Sequence, residues 1–261
     1  MIEQLLDIMA RLRDPHSGCP WDLEQTFQTL VPHTIEEAYE VAEAIRHGDM
    51  VELKDELGDL LFQIAFYAQL ARERGDFNFG DIVQAISDKM RRRHPHVFGQ
   101  AVVNSAAEQT LAWERHKAEE RTGRGDGLPV SCLDGIALAL PALIRAEKLQ
   151  KRAAREGFDW DSLAGVVAKV EEELAEVVDA SHPDQDLQGL RDEVGDLLFS
   201  CVNLARHLGV NPETSLRQAN QKFETRFREM EARLAARGDR ISALEMSDLN
   251  ALWETVKAES G

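Results

Sequence analysis

Two acidic patterns occur twice in this chain, in the same order. Glu36-Glu37-x-x-Glu40 is followed by Glu56-x-x-Asp59, and Glu172-Glu173-x-x-Glu176 by Glu193-x-x-Asp196. Acids three apart on a helix share a face and repel by a few tenths of a kcal/mol per pair, roughly. A single ExxE is therefore ordinarily a solvated acidic face. Here the context differs. Glu56 and Asp59 stand among Leu57, Leu60, Leu61 and Ile64, and Glu193 and Asp196 among Val194, Leu197 and Leu198. A helix this apolar is expected to bury most of its circumference, which would set the acids at or near a packed interface. Buried carboxylates must be paired or bind a metal. If the two helices of each half pack side by side, Glu37, Glu40, Glu56 and Asp59 converge in one half, and Glu173, Glu176, Glu193 and Asp196 in the other. Such a quartet calls for cations.

The donors are oxygen only. No Cys lies nearby and no Glu-x-x-His occurs in the chain, unlike the di-iron carboxylate bundles. Hard oxygen ligands suit Mg²⁺, with Mn²⁺ a possible substitute, and Mg²⁺ leaves coordination places to water and phosphates. Basic residues recur beside the acids. Lys89-x-x-x-Arg93 is matched by Lys222-x-x-x-Arg226, and Trp113-Glu-x-x-Lys117 by Trp253-Glu-x-x-Lys257. Arg grips phosphate oxygens with paired donors and Lys supplies a point charge. Either basic pair alone would be ordinary helix solubility; its recurrence makes a phosphate contact the sharper reading. Trp253 could flank a base while Lys257 meets phosphate. No GxxxxGK[ST] loop is present, so a phosphate grip would come from metal and side chains.

The elements that must hold these residues are helices. Val51–Ala71 and Leu190–Leu208 space their apolar residues by three and four, and no strand-like alternation persists. The expected fold is all-α, a tandem duplication of a helical-bundle domain. Glu56 to Phe62 and Glu193 to Phe199 agree at six of seven positions, and Trp21-Asp22 before one copy answers Trp160-Asp161 before the other. A period of roughly 140 residues means a duplicated domain rather than a solenoid. The stretch EERTGRGDGLP cannot continue a helix, which divides the chain into domains at 1–118 and 131–261 with a linker at 119–130. The copies are uneven. Lys169 stands one turn before Glu173, but His33 holds the matching place before Glu37. A neutral His would hold phosphate less well than Lys. Against that, Arg91-Arg92-Arg93 makes the first copy locally more basic.

The formal charge of −17 disfavours nucleic acid as a partner and suits a cation-holding protein. Cys19, Cys132 and Cys201 form no CxxC and no even set, which fits a reducing, cytoplasmic setting. The charged N-terminal residues do not read as a signal peptide, and the nine-residue apolar stretch Ile136–Ile144, broken by Pro141, is too short to span a membrane.

These motifs resemble the MazG family of nucleoside triphosphate pyrophosphohydrolases, whose mark is EExxE followed by ExxD. The likeness runs from Arg13-Asp-Pro and Gly18-Cys-Pro-Trp-Asp22 through Arg93-His-Pro-His-Val-Phe98 to Trp253, nearly the whole chain, in the tandem form of two-domain bacterial members. It implies Mg²⁺-dependent cleavage of NTPs or dNTPs to NMP and pyrophosphate. It carries over Glu173, Glu176, Glu193 and Asp196 as metal ligands, with Glu37, Glu40, Glu56 and Asp59 their N-terminal counterparts. Lys169, Lys222, Arg226 and Trp253 carry over as nucleotide contacts, to which Lys257 is added here. Glu172 is the candidate for orienting the attacking water. The resemblance also implies a homodimer and main reliance on the C-terminal copy. A rival of another class is a non-catalytic helical module that senses nucleotide or metal or binds a partner. A relative of narrower substrate choice, cleaving dUTP or phosphoribosyl-ATP, is a second rival.

Overall fold

The computed structural model describes residues 1–105, 108–110, 112–113, 131–182 and 186–259. Among them there is no strand. The N-terminal unit contains α1 (Ile2–Leu12), α2 (Pro20–Glu24), α3 (Phe27–His47), α4 (Met50–Arg74), α5 (Phe79–Arg93) and α6 (Pro95–Phe98), with further helical residues at 108–110 and 112–113. Five follow: α7 (Ala142–Arg155), α8 (Leu163–Ala180), α9 (Leu187–His207), α10 (Pro212–Ala236) and α11 (Met246–Glu259). The chain forms two compact units, Met1–His116 and Lys117–Gly261. The linker read at 119–130 and Lys117 lie outside the described residues.

Each acidic pattern lies on a helical hairpin, α3 with α4 and α8 with α9. The first hairpin is sharply bounded. Thr26 caps α3 in a reciprocal pair with Thr29, and Gly48 ends it at φ 71°. Asp49 then accepts from the amides of Val51 and Glu52 to start α4. A left-handed residue followed at once by an N-cap reverses the chain in two residues, and a glycine takes that φ without strain. In the second hairpin Asp186 caps α9 by accepting from the Gln188 amide.

The two cores are filled differently. In the N-terminal unit α1 packs on α4, burying Met9, Leu30, Phe66 and Leu70, with Leu12, Phe27, Phe62 and Tyr67 around them. Phe27 stacks on Tyr67, whose hydroxyl lies 2.9 Å from Thr34 Oγ1. The Arg13 guanidinium sits 5.6 Å from the centre of the Phe66 ring and pairs with Glu73 across the fold. In the C-terminal unit α7 packs on α9 and α10, and α10 on α11. Its buried hydrophobic residues are Ile136, Val166, Val202, Met230, Leu234 and Val256, with no aromatic ring among them.

One expectation needs correction. The apolar residues flanking the acids are not enclosed: Leu57 is 50% exposed and Leu198 55%, and Leu61, Ile64 and Val194 are also open. Within its unit α4 packs chiefly against α1, α3 and α5 among the described residues. The Leu57–Leu61–Ile64 ridge, spaced by four and three along one face, turns away from those neighbours.

Candidate functional site

Within the C-terminal hairpin, Glu173 on α8 and Glu193 and Asp196 on α9 can each offer a carboxylate oxygen such that all lie within 4.8 Å of one another. Glu37 on α3 and Glu56 and Asp59 on α4 do the same in the N-terminal hairpin. The i,i+3 spacing supplies two acids of each group locally, and the hairpin brings the third. Glu40 and Glu176, expected as fourth members, fall outside these groups. They stand one turn further along α3 and α8 and are exposed, but close enough to be felt. Burial, then Glu40, Asp59, Glu37 and Glu52, pushes the Glu56 carboxyl above its usual range. Burial, then Glu173, Glu193 and Glu172, raises Glu176 against the pull of Lys169. Glu37 is raised mainly by burial and by its acidic neighbours, in spite of the hydrogen bond from Gln63 Nε2.

The two groups differ in their counter-charge. Lys169 Nζ lies 2.8 Å from Glu173 Oε1 and 2.8 Å from Glu172 Oε1, and these bonds, Glu172 first, raise its ammonium above its ordinary value. Glu172 itself is exposed. Glu173 is only 5% exposed, and its Oε2 is buried with no hydrogen-bond partner. In the N-terminal unit His33 lies 3.7 Å from Glu36, outside the group of three acids.

A cavity of about 640 Å³ adjoins the C-terminal group, and Lys169, Glu173 and Asp196 line it. Phe158, Trp160 and Phe199 form aromatic wall, and Gln150, Ser200, Asn203 and Arg206 add polar groups. Trp160 lies tight against α8. A Cβ on Gly165 would stand 2.9 Å from its ring, so only glycine leaves the indole this place. The segment carrying Phe158 and Trp160 is tied to α9 through Asp159. Arg206 donates to both Asp159 oxygens, His207 Nε2 lies 2.9 Å from Oδ1, and Asn203 Oδ1 accepts from Arg206 Nε at 2.9 Å. The Arg206 hydrogen bonds, with His207 behind them, hold the Asp159 carboxyl down to about 2.

The N-terminal unit differs at the position that matches a cavity residue. Seven residues after Asp196 comes Asn203, a cavity residue; seven after Asp59 comes Phe66, 0% exposed in the centre of the core. A cavity of about 370 Å³ does occur in that unit, between α1, α4 and the start of α5, but none of the acids lines it.

The remaining sequence-derived residues stand apart from the cavity. Lys222 and Arg226 lie on α10, Trp253 and Lys257 on α11, and none of them lines it. Trp253 packs on Phe223 with ring centres 5.3 Å apart. Arg226 Nε is buried without a hydrogen-bond partner. Lys257 pairs with Glu254 on its own helix at 3.3 Å. Lys89 and Arg93 are half-buried on α5, which packs on α4. Gln150, Phe158, Asn203 and Arg206 escaped sequence reading because nothing in their spacing sets them apart. Trp160 carried a signal as half of the repeated Trp-Asp pair.

Comparison with known proteins agrees with this architecture. Residues 25–98 match the model of the MazG nucleotide pyrophosphohydrolase domain, and residues 140–223 that of phosphoribosyl-ATP pyrophosphohydrolase. The chain is 51% identical over 259 residues to a nucleoside triphosphate pyrophosphohydrolase of Escherichia coli, covering 99% of this chain and 97% of that one. It is 42% identical over 257 residues to a nucleoside triphosphate pyrophosphohydrolase/pyrophosphatase MazG of Thermotoga maritima, covering 98% and 96%. The phosphoribosyl-ATP match stops within the second unit, whereas these relatives run through both. With its doubled acidic hairpin, this chain belongs to the MazG family of nucleotide pyrophosphohydrolases.

Proposed function

We propose that this protein is a Mg²⁺-dependent nucleoside triphosphate pyrophosphohydrolase that turns over substrate in its C-terminal unit, releasing NMP and pyrophosphate. The single observation that carries this is the roughly 640 Å³ cavity lined by two of the three clustered acids and by Lys169. In the N-terminal unit the position matching the cavity residue Asn203 is Phe66, buried in the core.

The residues fit a divalent cation. Three carboxylates can meet within 4.8 Å with no sulfur or imidazole among them, and the unpartnered Glu173 Oε2 awaits a positive partner. Glu173, Glu193 and Asp196 would hold it, Glu176 being assigned as a further ligand only through family resemblance, and Mn²⁺ could substitute. When bound, the cation neutralises triphosphate charge and acidifies water. The protein's own groups do the rest. Glu172 accepts a hydrogen bond from the attacking water and orients it. Water oxygen bonds to one of the two phosphorus atoms flanking the α–β bridge and gives up a proton to solvent. The bond from that phosphorus to the bridging oxygen breaks, and the other fragment leaves with the bridging oxygen and its electron pair, so that NMP and pyrophosphate result either way. Lys169, released from Glu172, meets the developing phosphate charge. Lys222, Arg226 and Trp253 are assigned as nucleotide contacts only through family resemblance, and none of them lines the cavity; Lys257 would have to leave Glu254 to join them.

A homodimer is part of the proposal. The open apolar ridges of α4 (Leu57, Leu61, Ile64) and α9 (Val194, Leu198) are surfaces a second copy would cover. No helix among the described residues is long and apolar enough to cross a membrane. The test is a panel of NTPs and dNTPs with Mg²⁺, with EDTA as control. NMP plus pyrophosphate is expected, and NDP plus orthophosphate would refute the reading. Glu193→Gln should abolish turnover where Glu56→Gln does not; equal losses would remove the bias toward the C-terminal unit.

A further inference from the structure

Within the cavity beside the C-terminal acids, one polar side chain is committed on one side and empty on the other. Gln150 on α7 is 7% exposed and lines the cavity. Its Nε2 donates to the backbone carbonyl of Phe199 at 2.8 Å, which fixes the amide's orientation, because a carbonyl needs a donor. Oε1 therefore sits on the other side, buried and without a hydrogen-bond partner. A buried amide oxygen is normally satisfied; Gln63 and Gln109 also have an unpartnered Oε1, but Gln150 alone of the three lines the cavity beside the C-terminal acids. The surrounding aromatic rings, Phe158 and Trp160, suit a flat heterocycle.

We propose that Gln150 is a specificity-determining residue that reads the nucleobase: its Oε1 accepts an N–H from a base lodged between Phe158, Trp160 and Phe199, while the triphosphate extends toward Glu173 and Asp196. This rests on the pyrophosphohydrolase reading above. Asn203 strengthens it. Its Oδ1 is taken by Arg206, so its amide N–H₂ is the group left to the cavity, a donor to complement the Gln150 acceptor. The N-terminal unit has Phe66, with no amide, at the place of Asn203.

The test compares ATP, whose 6-amino group is a donor, with purine riboside 5′-triphosphate, whose base carries no N–H. Wild-type protein with Mg²⁺ should prefer ATP in kcat/KM by about 10- to 100-fold, the worth of one well-made hydrogen bond, mostly through KM. Gln150→Met keeps the side-chain length and removes the acceptor; it should bring that ratio close to one. If Gln150→Met lowers the efficiency on both substrates equally, the residue is merely structural and the proposal is overturned. Should the variant fail to fold, as judged by its melting curve, the wild type still decides: equal efficiency on the two triphosphates overturns the proposal. Wild-type protein that releases pyrophosphate from no triphosphate defeats the functional reading and this one with it. An active wild type whose ATP preference survives Gln150→Met defeats this one alone.

Discussion

Replacing Glu193 with Gln should stabilise the metal-free protein while removing its response to Mg²⁺. Glu193 shares its group with Glu173 and Asp196, at oxygen separations within 4.8 Å. Two unit charges at that distance repel by ~0.9 kcal/mol in bulk water and ~3.5 kcal/mol at an effective dielectric near 20. Asp196 is exposed and Glu193 half-buried, so the pairs belong near the lower figure, and Lys169 already offsets part of the Glu173 charge. The substitution removes two of the three repulsions, a gain of ~1–2 kcal/mol, which is a rise of about 2–8 °C in melting temperature for a chain of this size. Added Mg²⁺ reverses the order. At a hundred times its Kd, a bound ion stabilises the wild type by ~2.7 kcal/mol through linkage, and the variant, short of a ligand, should gain far less. The assay is thermal unfolding of both proteins in EDTA and across a Mg²⁺ titration. A variant that melts below wild type in EDTA would refute the repulsion argument. One that gains as much from Mg²⁺ as wild type would refute the metal assignment.

Asp159 gives the pH dependence. Its folded-state carboxyl is held at about 2, below its ordinary 3.8, so its contribution is complete above about 3.8 and disappears as pH falls through about 2. Asp159→Asn should cost ~1–3 kcal/mol at neutral pH, because it leaves the 11%-exposed Arg206 short of its partner; urea midpoints measure it, and the loss should vanish in acid. Phe66→Ala should destabilise the N-terminal unit by ~3–5 kcal/mol, since the ring is wholly buried; a loss under ~1 kcal/mol in chemical denaturation would mean that this core is looser than described. Lys169→His, which installs the N-terminal unit's residue, should lower kcat on NTPs by about 10- to 100-fold at pH 8 and recover partly near pH 6, where imidazole is charged. An unchanged pH profile would show that Lys169 acts only by holding Glu173.

The helical class, the duplication and the pairing of Glu56 with Asp59 and Glu193 with Asp196 on common faces were all legible in the residues. So was the reach of Lys169 to Glu173. These are properties of neighbours three and four apart, and a helix sets those distances by itself. Other features were not local. The inclusion of Glu173 and exclusion of Glu176 depend on where α8 crosses α9, and the two acids are equivalent in spacing. The apolar run around Glu56 suggested enclosure, yet Leu57 stays open, because periodicity says which residues share a face and not whether a neighbour covers it. The cavity depended most on the tertiary structure. Two hairpins with nearly the same acids differ in whether Phe66 or Asn203 follows, and in whether Met9, Leu30 and Tyr67 surround that place or leave it to Gln150 and Trp160. Free volume is a sum over side chains from several helices, so only their packing decided which copy of the acidic motif lines the 640 Å³ cavity.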